Sequence, residues 1–309
     1  SIREALESFK ASGKFVWSYG DILSQKEYYL SSIADSIYMS PLGNLDFKGL
    51  AFETLFFKDF QDQYGLKMEV IRHGKYKSAV EPYLENKMSS SNRLQVKELI
   101  GSMWGVMTNE IAVSRNIPKE KLNQIADALK ARSPGGAVAC HLLDGVVYED
   151  VYHQKLEKIV GAKFLKINLL DYFKTKASRL QIEKDKIAVV YAQGDIVYGR
   201  GDENHIGQEM LIEALKKVQS QEDVKAIVLR VNSPGGSALA SDLIWRALEL
   251  VKEAKPLVVS MGDLAASGGY YIACNADKIF AEPTSITGSI GVYGMLPNIS
   301  DFTENMGIH

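Results

Sequence analysis

At 309 residues, 46% of them hydrophobic, the chain is long enough for two domains of ordinary size, each with its own core. Its 36 basic and 38 acidic residues leave a net charge of −2, which excludes the basic footprint of a nucleic-acid binder. No apolar run reaches the ~20 residues that span a bilayer. Cys140 and Cys274 stand apart and read as small buried apolar residues, and His73, His141, His153, His205 and His309 lack metal-ligand spacing. No metal or cofactor is expected.

The chain opens inside an amphipathic helix over 2–11, with no start methionine and no signal-peptide pattern, so it is expected to be a piece of a longer protein. A strand over 15–19, a helix over 27–34, short strands over 36–39 and 46–49, a helix over 52–64 and a strand over 68–72 come next. Helices over 94–115 and 119–132 are split by Ile117-Pro118, and Ser133-Pro134-Gly135-Gly136 reads as a helix end and turn. The polar stretch 170–186 is the candidate linker. Beyond it come a strand over 187–193, a helix over 206–219, and apolar strands over 226–231 and 257–260 that suit burial on both faces. The alternation of strand and helix predicts an α/β fold.

A shift of 242 positions lays residues 262–308 on residues 20–66 without a gap. Gly262-Asp263 falls on Gly20-Asp21, Tyr270-Tyr271 on Tyr28-Tyr29, Ala276-Asp277 on Ala34-Asp35, Asp301-Phe302 on Asp59-Phe60, and Gly307 on Gly65. Two tandem repeats are therefore expected, over 1–184 and 185–309. By the same register the chain holds the back of one repeat, lacking about 55 residues at its start, and the front of the next.

Ser267 lies in Gly262–Tyr271 after an apolar strand, flanked by Ala266, Gly268 and Gly269, as a nucleophile on a tight strand-to-helix turn is. Its repeat counterpart is Gln25, so the first copy has lost this hydroxyl. Pro234-Gly235-Gly236 follows the strand over 226–231 and bends the chain near a helix start, where unhindered N–H groups can hold an oxyanion. No histidine stands near as a base. A lysine serves if burial or a positive potential lowers its pKa, and Lys75 and Lys77 are both candidates. Ser78 and Glu81 fit a capping box that would place Lys77 at a helix start. The residues alone do not choose between the two lysines.

Arg230–Ser237 (RVNSPGGS), Ala265–Tyr270 (AASGGY), Thr287–Gly291 (TGSIG) and Tyr76–Pro82 (YKSAVEP) together resemble the bacterial signal peptide peptidase A (protease IV) family in its long tandem-repeat form, over essentially the whole chain. The resemblance implies a Clp-protease/crotonase-like fold and a serine endopeptidase with a Ser/Lys dyad. Ser267 would be the nucleophile, Lys77 the base and Ser289 a partner of the lysine amine, with Gly236 and Gly268 forming the oxyanion hole. The base would come from the first repeat and the nucleophile from the second. It further implies peptide substrates (signal-peptide remnants and other apolar peptides), a homo-oligomer, and attachment to the outer face of the cytoplasmic membrane through an anchor absent from this chain. Leu264, Tyr270, Tyr293, Met295 and Leu296 are candidate subsite residues, equally readable as core or contact surface. Two other readings use the same glycine loops: a crotonase-like acyl-CoA enzyme, and a catalytically silent assembly protein.

Overall fold

The computed structural model describes residues 2–161, 164–177 and 184–308. The chain forms two compact units, one from Ser1–Ala51 and Ile100–Leu180, the other from Phe52–Leu99 and Gln181–His309. Both mix helices with parallel sheet. Residues 52–99 precede most of the first unit's helices in sequence yet belong to the second unit.

In the first unit, Trp17–Leu23 pairs in parallel with Ser36–Leu45, which pairs with Gly145–Val146. The helix Gln25–Ser31 connects the first two strands and carries a complete capping box from Ser24 and Glu27. Tyr28, Ile37, Met39, Ile111, Leu122, Ile125 and Leu142 are fully buried together. The Tyr28 hydroxyl reaches the Leu142 carbonyl at 3.0 Å, so the largest core side chain keeps its polar tip satisfied.

The second unit is built on a parallel sheet in the order Lys278–Phe280, Leu257–Ala266, Val224–Ser233, Lys186–Gln193, with Ile286–Gly288 paired to the far end of Leu257–Ala266. The helices Gln208–Ser220, Ala238–Ala254 and Gly268–Ala273 are the crossovers between successive strands. Every step moves in one direction along the sheet, and right-handed crossovers then place all three helices on one face. Leu215, Ile227, Leu229, Ile244, Leu248, Leu257 and Val259 fill the space between that face and the helices. The other face is not covered in the same way. Ala226 and Val228 are half-buried, Arg230 is exposed, and Ile187, Val189 and Tyr191 line the open side of the edge strand. The expectation of strands buried on both faces is corrected accordingly. A separate antiparallel ribbon joins Lys67–Arg72 to Tyr293–Asn298.

Several local expectations are also corrected. Residues 46–49 form no strand, and the helix expected over 52–64 is confined to Lys58–Tyr64, because the Phe57 N–H is held by the Pro82 carbonyl at 2.7 Å instead. The helix expected over 119–132 stops at Asp127, since Leu129 takes a left-handed conformation (φ 49°). Ser133-Pro134-Gly135-Gly136 starts a helix, Pro134–Ala139, with Ser133 as its cap and proline in the first turn. The helix Leu169–Ala177 occupies much of the expected linker, whose residues 178–183 lie outside the described residues, as does His309. Cys140 is half-buried and Cys274 exposed, so neither is the buried apolar residue expected.

Leu229 has no exposed surface at the centre of the second unit, whereas Val189 is half exposed at the sheet edge. Leu229→Ala is expected to destabilise that unit by about 2–5 kcal/mol and Val189→Ala by about 0.5 kcal/mol or less, read from urea unfolding.

Candidate active site

Two parallel strands end side by side, and each is followed by a turn that only small residues allow. After Val224–Ser233, Gly235 and Gly236 have φ of 105° and 150°. A Cβ at Gly235 would lie 2.6 Å from the Gly268 nitrogen and 2.8 Å from the Ser267 Cβ, so this turn sits directly against the serine. A Cβ at Gly236 would lie 2.1 Å from the Ile196 carbonyl oxygen. The buried Ser233 hydroxyl accepts the Gly235 N–H at 3.1 Å and fixes the bend.

After Leu257–Ala266, Ser267 adopts φ 55° and ψ −119°, a conformation rarely tolerated by a residue with a Cβ. Its own N–H is engaged by the Gly288 carbonyl at 2.8 Å, and the helix Gly268–Ala273 starts at once. The sharp reversal presents the hydroxyl at the end of the sheet, the geometry of a nucleophile elbow. Gly236 and Gly268 both line the same opening, and a Cβ at Gly268 would lie 3.2 Å from the Gly236 nitrogen. Neither amide meets a backbone acceptor among the described residues.

The third element comes from the ribbon. Lys67–Arg72 pairs with Tyr293–Asn298, and the His73 N–H continues the ladder to the Val292 carbonyl at 3.4 Å. The chain then turns through Gly74 and brings Lys77 over Ser267. The Lys77 Nζ lies 3.0 Å from the Ser267 Oγ, 2.7 Å from the Ser289 carbonyl oxygen and 3.1 Å from the Ser289 Oγ. Ser289 itself has φ 51°, which turns both its oxygens toward the amine. Gly291 lies along the lysine stem, where a Cβ would stand 3.6 Å from Lys77 Cδ.

Lys77 is only 6% exposed and has no carboxylate partner among the described residues. Burial pushes its ammonium below the ordinary lysine range, because the charged form loses water. Of the two candidate lysines, Lys77 lies beside Ser267, whereas Lys75 is exposed, with its Nζ 5.1 Å from the Tyr76 ring centre. The capping box expected at Ser78 and Glu81 does not form. The short helix Glu81–Leu84 is capped by Val80 without a side-chain bond, and Ser78 accepts from Gln95 Nε2 at 2.7 Å. Glu81 is buried and receives the Asn92 amide and the Ser89 N–H, so its role is to hold the loop after Lys77.

These groups open into a cleft of about 760 Å³ whose lining includes Ala238, Ser241, Tyr270, Tyr271, Cys274 and Tyr293. Of the five subsite candidates, Tyr270 and Tyr293 line it. Leu264 pairs with Ile286 in the sheet, and Met295 and Leu296 lie on the ribbon. Sequence reasoning gave no role to Ser233 or Ser241, although Ser233 stands directly before Pro-Gly-Gly. No group of three His, Cys, Asp or Glu among the described residues is placed to hold a metal ion, and no described helix is long and apolar enough to cross a membrane.

Residues 8–163 and 249–309 match the model of peptidase family S49. The chain is similar over 99% of its length to Protease 4 of Haemophilus influenzae, at 39% identity, and the match covers 52% of that protein. It is 36% identical to Protease 4 of Salmonella typhi over 100% of the chain and 52% of the relative. The chloroplastic serine protease SPPA of Arabidopsis thaliana is 31% identical over 100% of the chain and 47% of the relative. The chain thus spans about half the length of the curated relatives it matches. With most of its residues in the family match, and with a serine elbow and a buried lysine at one cleft, the chain belongs to peptidase family S49.

Proposed function

We propose that this chain carries the reaction centre of a serine endopeptidase that uses a Ser/Lys dyad. The observation that carries the reading is the 3.0 Å approach of the Lys77 Nζ to the Ser267 Oγ, made by an amine whose proton burial makes easier to lose. A neutral amine has two N–H groups and one lone pair. The Ser289 carbonyl and hydroxyl oxygens take the two N–H groups, which leaves the lone pair to accept from the Ser267 hydroxyl.

That arrangement dictates the steps. Lys77 takes the Ser267 proton as Oγ bonds to the carbonyl carbon of the scissile peptide. The carbonyl oxygen gains negative charge and is met by the Gly236 and Gly268 N–H groups. When the carbon–nitrogen bond breaks, Lys77 returns the proton to the leaving amine and an ester on Ser267 remains. Water then attacks the ester, its proton passing to Lys77 and back to Ser267 Oγ as the acid leaves. The amine is confined by Ser289 throughout, so it needs no reorientation between steps.

The tandem repeat belongs to the same reading. Trp17–Leu23, Gln25–Ser31 and Ser36–Leu45 keep the order of Leu257–Ala266, Gly268–Ala273 and the strands Lys278–Phe280 and Ile286–Gly288. The pairs Ile22↔Asn44 and Leu23↔Leu45 recur, at the same shift of 242, as Leu264↔Ile286 and Ala265↔Thr287. In the first copy the place of Ser267 is taken by Gln25, whose amide is spent on Lys48 and Gly49. We assign repeats to 1–184 and 185–309, with the base contributed by the first and the nucleophile by the second. Cleaved signal peptides and other apolar peptides, a homo-oligomer, and a site on the outer side of the cytoplasmic membrane extend the reading to the longer protein. An acyl-CoA enzyme would need cations for the phosphates. Lys77 is the one cation among the described residues lining the cleft, and Ser267 and Ser289 engage it.

Ser267→Ala and Lys77→Ala are both expected to lose labelling by a fluorophosphonate probe, while in the parent the rate rises with pH as Lys77 deprotonates, with a midpoint below the ~10.4 of an ordinary lysine. Undiminished labelling of Ser267→Ala would remove the assigned nucleophile.

Stability should also respond to pH. A lysine whose pKa is lower in the folded state binds fewer protons folded than unfolded, so stability increases as pH rises from the folded to the unfolded pKa. Lys77→Met removes that dependence. The melting temperature of the variant relative to the parent is expected to be highest near neutral pH and to fall as pH approaches ~10, measured by thermal scans across that range.

A further inference from the structure

The strand that delivers Ser267 does not run straight. From Leu257 to Met261 its residues face Ile227 to Val231 one for one, and the next pair is Ala265 with Ser233. Four steps on this strand thus face two on its neighbour, and Gly262-Asp263-Leu264 bulges from the ladder. At the same point the strand changes its partner on the opposite side. Val258–Ser260 pair with Lys278–Phe280, whereas Leu264–Ala266 pair with Ile286–Gly288. A bulge bends a strand and re-aims the residues beyond it. The residue re-aimed in this strand is Ser267, brought to the loop that carries Ser289.

A bulge also strips backbone groups of their ladder partners. Asn232, on the neighbouring strand, meets one of them: its Oδ1 accepts the Leu264 N–H at 3.1 Å. The Gly262 carbonyl, at the other end of the bulge, accepts from the Ser285 hydroxyl at 2.6 Å. The fit is close, since a Cβ at Gly262 would lie 3.0 Å from the Asn232 Oδ1 and 3.1 Å from its Cβ. Asn232 is itself anchored, its backbone carbonyl accepting the Gly194 N–H at 3.0 Å. It does not line the cleft.

We propose that Asn232 is a positioning residue for the nucleophile: its side-chain carbonyl holds the Gly262–Leu264 bulge in the form that sets Ser267 beside Lys77. The inference rests on the Ser267/Lys77 reading for its effect on rate, and on the bulge alone for its effect on structure. Removing the acceptor frees the Leu264 N–H, and the strand end can shift without unfolding the sheet beneath it. A misplacement of about 1 Å in a reacting group costs on the order of 100-fold in rate.

The test compares Asn232→Ala with Asn232→Asp, which keeps an oxygen at the same position. Three quantities are read: the fluorophosphonate labelling rate, kcat and KM on an apolar peptide, and amide hydrogen exchange. Asn232→Ala is expected to lose roughly 10- to 100-fold in labelling and kcat with KM little changed, and Asn232→Asp to recover most of that loss. Exchange at the Leu264 and Ser267 amides should quicken in Asn232→Ala while the amides of 227–229 stay protected. The proposal is overturned if Asn232→Ala labels at the parent rate, or if its loss matches a general rise in exchange that includes 227–229 and Asp gives no recovery. If the parent itself never labels at Ser267, the dyad reading fails, and exchange at the Ser267 amide alone then decides the role of Asn232: unchanged exchange there overturns it.

Discussion

A primary amine is held almost out of water with three oxygens around it and, among the described residues, no carboxylate to keep its charge. The chemistry proposed for this protein depends on that placement of Lys77. An aspartate or glutamate in the place of Ser289 would favour the ammonium and leave Ser267 with no base. Hydroxyl and carbonyl oxygens orient the amine through its N–H groups without contributing a full negative charge. Burial then does what a neighbouring cation does in other lysine sites: it makes the proton easier to lose.

The fold brings this about by converging three backbone devices. The Pro-Gly-Gly turn and the serine elbow lie at the ends of adjacent parallel strands, where an open α/β sheet leaves room for a ligand. The lysine arrives from sequence nearly two hundred positions away, on a segment tied to the same unit by the ribbon of Lys67–Arg72 with Tyr293–Asn298. That ribbon continues directly from the loop bearing Ser289 and Gly291, so one antiparallel pairing sets the register of the amine against both serines. In the second unit the described non-glycine residues with positive φ are Ser267 and Ser289, and the sheet below them sustains that strain.

Much of this was legible in the residues. Apolar runs marked three strands of the second unit's parallel sheet, Lys186–Gln193 closely but Val224–Ser233 and Leu257–Ala266 only over their most apolar parts, while the short strands Lys278–Phe280 and Ile286–Gly288 carry too few apolar residues to stand out. Small residues around Ser267 marked a turn that only they permit. The choice of Lys77 over Lys75 was not legible locally. It depends on a contact across the unit, and the capping box that pointed to Lys77 does not form, because Ser78 and Glu81 are claimed by Gln95, Asn92 and Ser89. The shortened helix at Lys58–Tyr64 has the same kind of cause, a tertiary bond from Phe57 to Pro82 outweighing a helical pattern. The start of a helix at Pro134 was available to sequence reading, since a serine followed by proline is a helix-opening signature. The bulge at Gly262–Leu264 was not, because register is a property of pairs of strands and no single strand carries it.

The most direct test of the account is the titration of the Lys77 amine itself, followed by the Cε resonance of isotope-labelled lysine in the parent and assigned with Lys77→Met. The account predicts a lysine that loses its proton below the ~10.4 of an exposed one while the fold stays intact. An amine at Lys77 that titrates with the surface lysines would contradict it, and Ser267 would then have no base.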